Sequence, residues 1–173
     1  MNDKSSDMKE QKNVQNIYAA FAAALIFQFI PLVTIQVFGF FLFIGVLVAA
    51  YMLRGKSETE SLAYNHAHFI IRTIWIWSLF LMVGMVIAVP WFSQVADHSI
   101  IQSFLDQVSG GMMPSHEMMN DVMKRYMLAN LADLLFIAGV ALGPSMVYII
   151  YRFAKGLTRA LKGHRIGNVK NWF

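Results

Sequence analysis

Apolar positions in this chain gather in long runs instead of alternating with polar ones. Phe69–Val89 is one such run, and Leu128–Tyr151 is another with a few polar interruptions. A helix needs about 20 apolar residues to cross the hydrocarbon core of a bilayer, and each run is long enough. A third tract, Ile17–Leu53, carries no charge and is about twice that length. As one helix at 1.5 Å per residue it would extend about 55 Å, far beyond a core of about 30 Å. Pro31 lies near its middle and disfavours helix at Ile30. The pattern therefore predicts two spans there, Val14–Ile30 and Ile35–Leu53, joined by a very tight turn. The expected fold class is all-α: an integral membrane four-helix bundle with spans at 14–30, 35–53, 69–89 and 128–151.

Between the last two spans lies a polar segment, residues 90–125. Ile100, Ile101, Phe104, Leu105 and Val108 recur with helical period, and Ser99 is placed to cap that helix. Gly110-Gly111 stops it, and Pro114-Ser115 opens a second helix with Glu117 in its first turn. That second helix is expected to run on into the last span. The first would lie on the membrane surface, apolar face down.

Charge gives the runs a direction. Charged residues make up 14% of the chain, roughly half the usual share, and the formal net charge is +4. With four spans, one side holds Lys4, Lys9, Lys12, Arg54, Lys56, Arg72, Arg152, Lys155, Arg159, Lys162, Arg165 and Lys170. The other side keeps Lys124 and Arg125 beside Asp97, Asp106, Glu117 and Asp121. The positive-inside rule then places both termini in the cytosol. Three spans would put the basic C-terminal segment on the wrong side. Residues 1–13 are polar and read as a short disordered cytosolic tail. Residues 152–173 read as a basic cytosolic tail whose Arg152, Lys155, Arg159, Lys162 and Arg165 lie on anionic lipid. There is no cysteine, which removes disulfides and thiolate chemistry. A nucleic-acid role is not expected, because stacking aromatics and a binding fold are absent.

Candidate chemistry concentrates in three places. The first is Asn65–Trp77, NHAHFIIRTIWIW. On a helix, Asn65, His68 and Arg72 share a face while His66 points elsewhere. The stretch reads as the cytosolic start of a span with basic anchors, or as a polar ligand face; His66 and His68 diverge too much to hold a metal. The second is an intramembrane polar cluster of Gln28, Gln36, Asn130 and Asp133. It would serve either interhelical hydrogen bonding or an ion or proton route through Asp133. The third is the Met-rich Gly111–Met123. There Met112, Met113, His116, Met118 and Met119 supply soft ligands of the kind that select Cu(I). Against this, Met119, Met123 and Met127 repeat every four residues, as a buried stripe would.

Two stretches carry a family resemblance. Asn65, His66, Ile71, Arg72, Thr73 and Trp75 form an N-H-x-x-x-x-I-R-T-x-W pattern, and Tyr151–Leu157 reads Y-R-F-A-K-G-L. Together they resemble a family of small, uncharacterised four-span bacterial inner-membrane proteins. A more distant likeness is to the four-helix component of the chloroplast inner-envelope protein import machinery. The resemblance implies four spans, a tight first hairpin and a short cytosolic tail, but no reaction. This chain departs from the pattern in its longer external loop, and in Ala67 and His68, where basic or aromatic residues are frequent.

Catalytic triads, phosphate-binding glycine loops and paired catalytic carboxylates are missing. The expectation is a non-enzymatic accessory or adaptor subunit without cofactors, binding other membrane proteins or itself. The alternatives are a small oligomeric transporter or channel using Asp133, and a periplasm-facing Cu(I) binder.

Overall fold

The computed structural model describes residues 3–30 and 32–169, the first five of these by backbone alone. Among the described residues there are six α-helices and no strand. They are α1 (Asp3–Phe29), α2 (Val33–Lys56), α3 (Leu62–Val95), α4 (Ser99–Ser109), α5 (His116–Ala129) and α6 (Leu131–Leu161).

Three helices, α2, α3 and α6, are long and apolar enough to cross a membrane. Their large apolar side chains are widely exposed, among them Phe41 on α2, Val86 on α3 and Val147 on α6. Asn65, His66, Thr73, Asn130, Ser145 and Arg152 are buried instead. A water-soluble fold does the reverse. The protein is membrane-embedded.

The span expected at 14–30 lies on α1, which is not among these three. Helix α1 starts at Asp3, so the segment expected as a disordered tail is helical from residue 3. Its charge-free part, from Asn13 to Phe29, is about 17 residues and about 25 Å long, just under a hydrocarbon core. The break before α2 falls where expected, although Pro31 itself lies outside the described residues.

Other boundaries moved for identifiable reasons. Helix α3 begins at Leu62, because the Ser61 hydroxyl accepts from Tyr64 N–H at 3.1 Å and caps it. It continues through Pro90 to Val95, and α6 continues through Pro144. A serine hydroxyl follows each proline and bonds a carbonyl three residues back, Ser93 to Pro90 and Ser145 to Leu142. Helix α5 is capped by Ser115, as anticipated, but stops at Ala129 instead of running into α6. Ser99, expected to cap α4, is instead its first helical residue; His98 holds the N-cap position without a side-chain bond, and Asp97 accepts from the Ser99 N–H.

The chain packs as two compact units, one from residues up to Ser78 with those from Met146 onward, the other Leu79–Ser145. In the first, α1 lies along α2. Val14, Tyr18, Phe21, Phe43, Val46, Ile70, Ile74 and Ile149 form its core. In the second, the buried apolar residues are Ala96, Val122, Tyr126 and Ile137.

Candidate functional site

Within the first unit, the polar end of α3 meets α1, the end of α6 and the segment beyond it. Gly163 makes this possible. Its φ of 66° lies in the left-handed region open to glycine, and it ends α6 by turning the chain back. The N–H groups of Gly163 and His164 donate to Ala160 and Arg159 carbonyls, closing the helix end.

Asn65 then holds the returning chain through both halves of its carboxamide. Its Nδ2 donates to Ile166 O at 3.1 Å, and its Oδ1 accepts from Ile166 N at 2.7 Å. Ile166 is buried by this pairing. Next to it, fully buried His66 has its Nε2 3.0 Å from His164 O. A carbonyl only accepts, so Nε2 carries the proton and Nδ1 is left as acceptor. The Tyr18 hydroxyl fills that role, donating to Nδ1 at 3.1 Å. Tyr18 itself lies against Gly156. A Cβ there would stand 2.8 Å from its Cζ, so only glycine fits.

Two turns further along α3, Thr73 donates to Phe69 O at 2.7 Å and accepts from Arg152 Nε at 3.2 Å. The Arg152 guanidinium sits 3.8 Å above the Phe69 ring centroid, with the Tyr148 ring 5.9 Å away. Arg152 has no exposed surface. It leaves the lipid-facing basic set, because the Phe69 ring and the Thr73 hydroxyl of α3 hold it inside. Arg159, Lys162 and Arg165 are exposed, and Lys155 is half-buried. Arg165 meets Glu60 at 3.4 Å. At the same end Glu10 accepts from Ala63 N–H at 2.6 Å, and Gln11 donates to Leu161 O at 3.2 Å.

The sequence motif thus divides. Asn65, His66 and Thr73 are buried; the expectation that His66 points away is corrected, since it occupies the centre of the knot. His68 and Arg72 are half-buried, and exposed Trp75 donates to Tyr51 Oη at 2.9 Å. The roles of Tyr18, Gly156, Ile166 and Arg152 were not anticipated. The Tyr-Arg-x-x-Lys-Gly stretch held the usable signal, because Arg152 bonds Thr73 and Gly156 lies against Tyr18, the partner of His66.

The expected intramembrane cluster resolves into separate pairings. Gln28 and Gln36 each donate to the other's backbone carbonyl, at 3.2 and 3.5 Å, across the α1–α2 hairpin. Asn130 binds the Asp97 backbone, accepting from its N–H at 2.6 Å and donating to its carbonyl at 3.1 Å. Asp133 is exposed in the first turn of α6, where a carboxylate suits the helix dipole.

In the Met-rich segment, Met112 is half-buried, and Met113, His116, Met118 and Met119 are exposed. The anticipated buried stripe is also exposed: Met119, Met123 and Met127 face outward while Val122 and Tyr126 take the inner face of α5. Among the described residues no group of three or more His, Cys, Asp or Glu side chains is placed to hold a metal. A cleft of about 400 Å³ between α4 and α5 is lined by Ser99, Ser103 and Gln107. Arg125 at its rim is bound to Asp121 at 3.0 Å.

No family model, no curated protein and no solved structure matches the chain.

Proposed function

We propose that this is a multi-pass bacterial inner-membrane protein that serves as a non-enzymatic accessory or adaptor subunit. The observation that carries this reading is where the polar side chains are used. Asn65 and His66 bond the chain's own backbone, and Thr73 bonds Arg152. Meanwhile α2, α3 and α6 leave long apolar faces uncovered. A chain that uses its polar groups to fix its own shape and offers apolar helix faces suits a scaffold within a membrane complex.

In this reading α1 completes a four-helix bundle as the fourth span, with both termini cytosolic. Three contacts support it. The Gln28–Gln36 pairing closes the α1–α2 hairpin at one end. Glu10 with Ala63, and Gln11 with Leu161, bring the start of α1, the start of α3 and the end of α6 together at the other. The basic residues flanking those ends then face the cytosol. The resemblance to small four-span inner-membrane proteins agrees with this arrangement.

The test is site-specific photocrosslinking in native membranes from the exposed positions Phe41, Val86 and Val147. The expected outcome is discrete adducts with one or a few membrane proteins, or with a second copy. Absence of adducts at all three positions, with a monomer in mild detergent, would overturn the adaptor reading. Reporters fused to each end should be active in the same compartment; opposite activities would remove the fourth span.

A further inference from the structure

At the basic end of the α1–α2 hairpin, a groove of about 350 Å³ opens between the two helices. Its chemistry changes along its length. Asn13 and Asn16 on α1 and Lys56 on α2 form a polar mouth, all three exposed. Ile17, Ala49 and Leu53 form an apolar floor. The helices are antiparallel, so both pass from polar to apolar at the same level. Gly45 lies one turn beyond Ala49 on the same face, with open space where a side chain would stand. The floor therefore continues toward the apolar part of α2.

Of the residues lining the groove, Lys56 carries the charge, and it is positive. Lys9, exposed, is one turn before Asn13 on the same face of α1. Of the neighbouring acids, Glu10 is engaged by the Ala63 N–H and Glu60 by Arg165. Glu58 lies beyond the end of α2. A cation flanked by two carboxamides, above a slot lined by small and branched apolar side chains, matches an amphiphile with an anionic head.

We propose that this groove binds one anionic phospholipid of the bilayer. The headgroup phosphate meets the Lys56 ammonium and the Asn13 and Asn16 carboxamides, and one acyl chain lies along Ile17 and Ala49 toward Gly45. This rests on α2 being a membrane span.

The test titrates the full-length protein in detergent with phosphatidylglycerol and with phosphatidylcholine of the same chains, read by native mass spectrometry. The first phosphatidylglycerol is expected to bind about tenfold tighter than the first phosphatidylcholine. Lys56→Gln should remove most of that preference. Ala49→Phe, which fills the floor, should weaken the first site for both lipids. Neutralising Arg159 and Lys162 together should leave the first site unchanged. Equal binding of the two lipids by the wild type would overturn the proposal. So would a preference that survives Lys56→Gln, or one that follows Arg159 and Lys162 instead. Carbonate extraction of membranes separates the two levels: release of the wild type refutes the span, whereas retention with no lipid preference refutes the groove alone.

Discussion

Each unit contains a tyrosine that donates to a histidine, which donates in turn to a backbone carbonyl. In the first, Tyr18, His66 and His164 O join residues 48 and 98 positions apart. In the second, Tyr126 donates to His98 Nδ1 at 3.2 Å, and His98 Nε2 donates to Ser93 O at 2.9 Å, only five positions away. The ring arrangements differ as well. Tyr18 and His66 meet edge to face at 85°, and His98 stacks on Tyr126 at 19°. The buried version ties three distant segments together. The other, half-open to its surroundings, closes a corner between α3 and α4. The same donors and acceptors therefore have different value: the cost of leaving a polar atom unbonded rises with burial, and a long-range bond also restrains more chain.

The contrast extends to the packing around each pair. The first unit packs Tyr18 against Phe153 within a buried cluster that includes Val14, Phe21 and Ala24, and the second has few fully buried apolar residues. The largest expected effect follows from this. Tyr18→Ala removes a fully buried aromatic and strands His66 Nδ1, and should cost about 3–5 kcal/mol in detergent unfolding. A loss below about 1 kcal/mol would mean that the knot collapses readily and that the two units do not differ as described.

Next is the clasp on the returning chain. Asn65→Ala deletes both bonds to Ile166 and should cost about 2 kcal/mol, at about 1 kcal/mol per bond. Its sharper signature is local. Protease cleavage between residues 163 and 169 should rise well before global unfolding. Unchanged cleavage would show that the buried Ile166 side chain, not Asn65, holds the segment.

These two residues also mark where sequence reasoning stopped. Long apolar runs identified the membrane helices, and the Gly110-Gly111 stop and the Ser115 cap were visible because both signals are local. The Gln28–Gln36 hairpin was visible because its partners are eight positions apart. Asn65 and Ile166 are 101 positions apart, and no periodicity reports such a pairing. A face drawn through Asn65, His68 and Arg72 assumed one buried side on α3. At this end α1 and the returning chain both cover the helix, so the adjacent residues Asn65 and His66 are buried together. Arg152 was assigned to lipid by its charge. Its burial depends on an aromatic ring and a hydroxyl contributed by α3, which composition does not reveal. The polar start of α1 read as disordered because its stabilising partners, Ala63 and Leu161, lie on other helices.

Removing only the hydroxyls isolates the two relays. Tyr18→Phe leaves a fully buried acceptor on His66 without its donor and should cost about 1–3 kcal/mol. Tyr126→Phe should cost less than about 1 kcal/mol, because the half-buried His98 can bond water instead. The ratio matters more than either value. Equal losses would show that burial does not separate the two relays.

The smallest effect belongs to the open corner beside His98. The Asp97 carboxylate accepts from the Ser99 N–H at 2.9 Å at the start of α4. This backbone bond, and then the Ser99 hydroxyl, hold its carboxyl below the ordinary value of 3.8. A depressed value means that the folded form favours the ionised group. The contribution is therefore complete above about pH 4 and is lost as pH falls through the folded value. Acidification from pH 6 to pH 3 should loosen the first turn of α4, measured as hydrogen exchange corrected for intrinsic rates. Asp97→Asn, which keeps an acceptor but not the charge, should show weaker protection at pH 6 and little further change on acidification. If both proteins trace the same profile, the Asp97 charge contributes nothing to this cap, and the corner rests on Asn130 and the Tyr126–His98 pair alone.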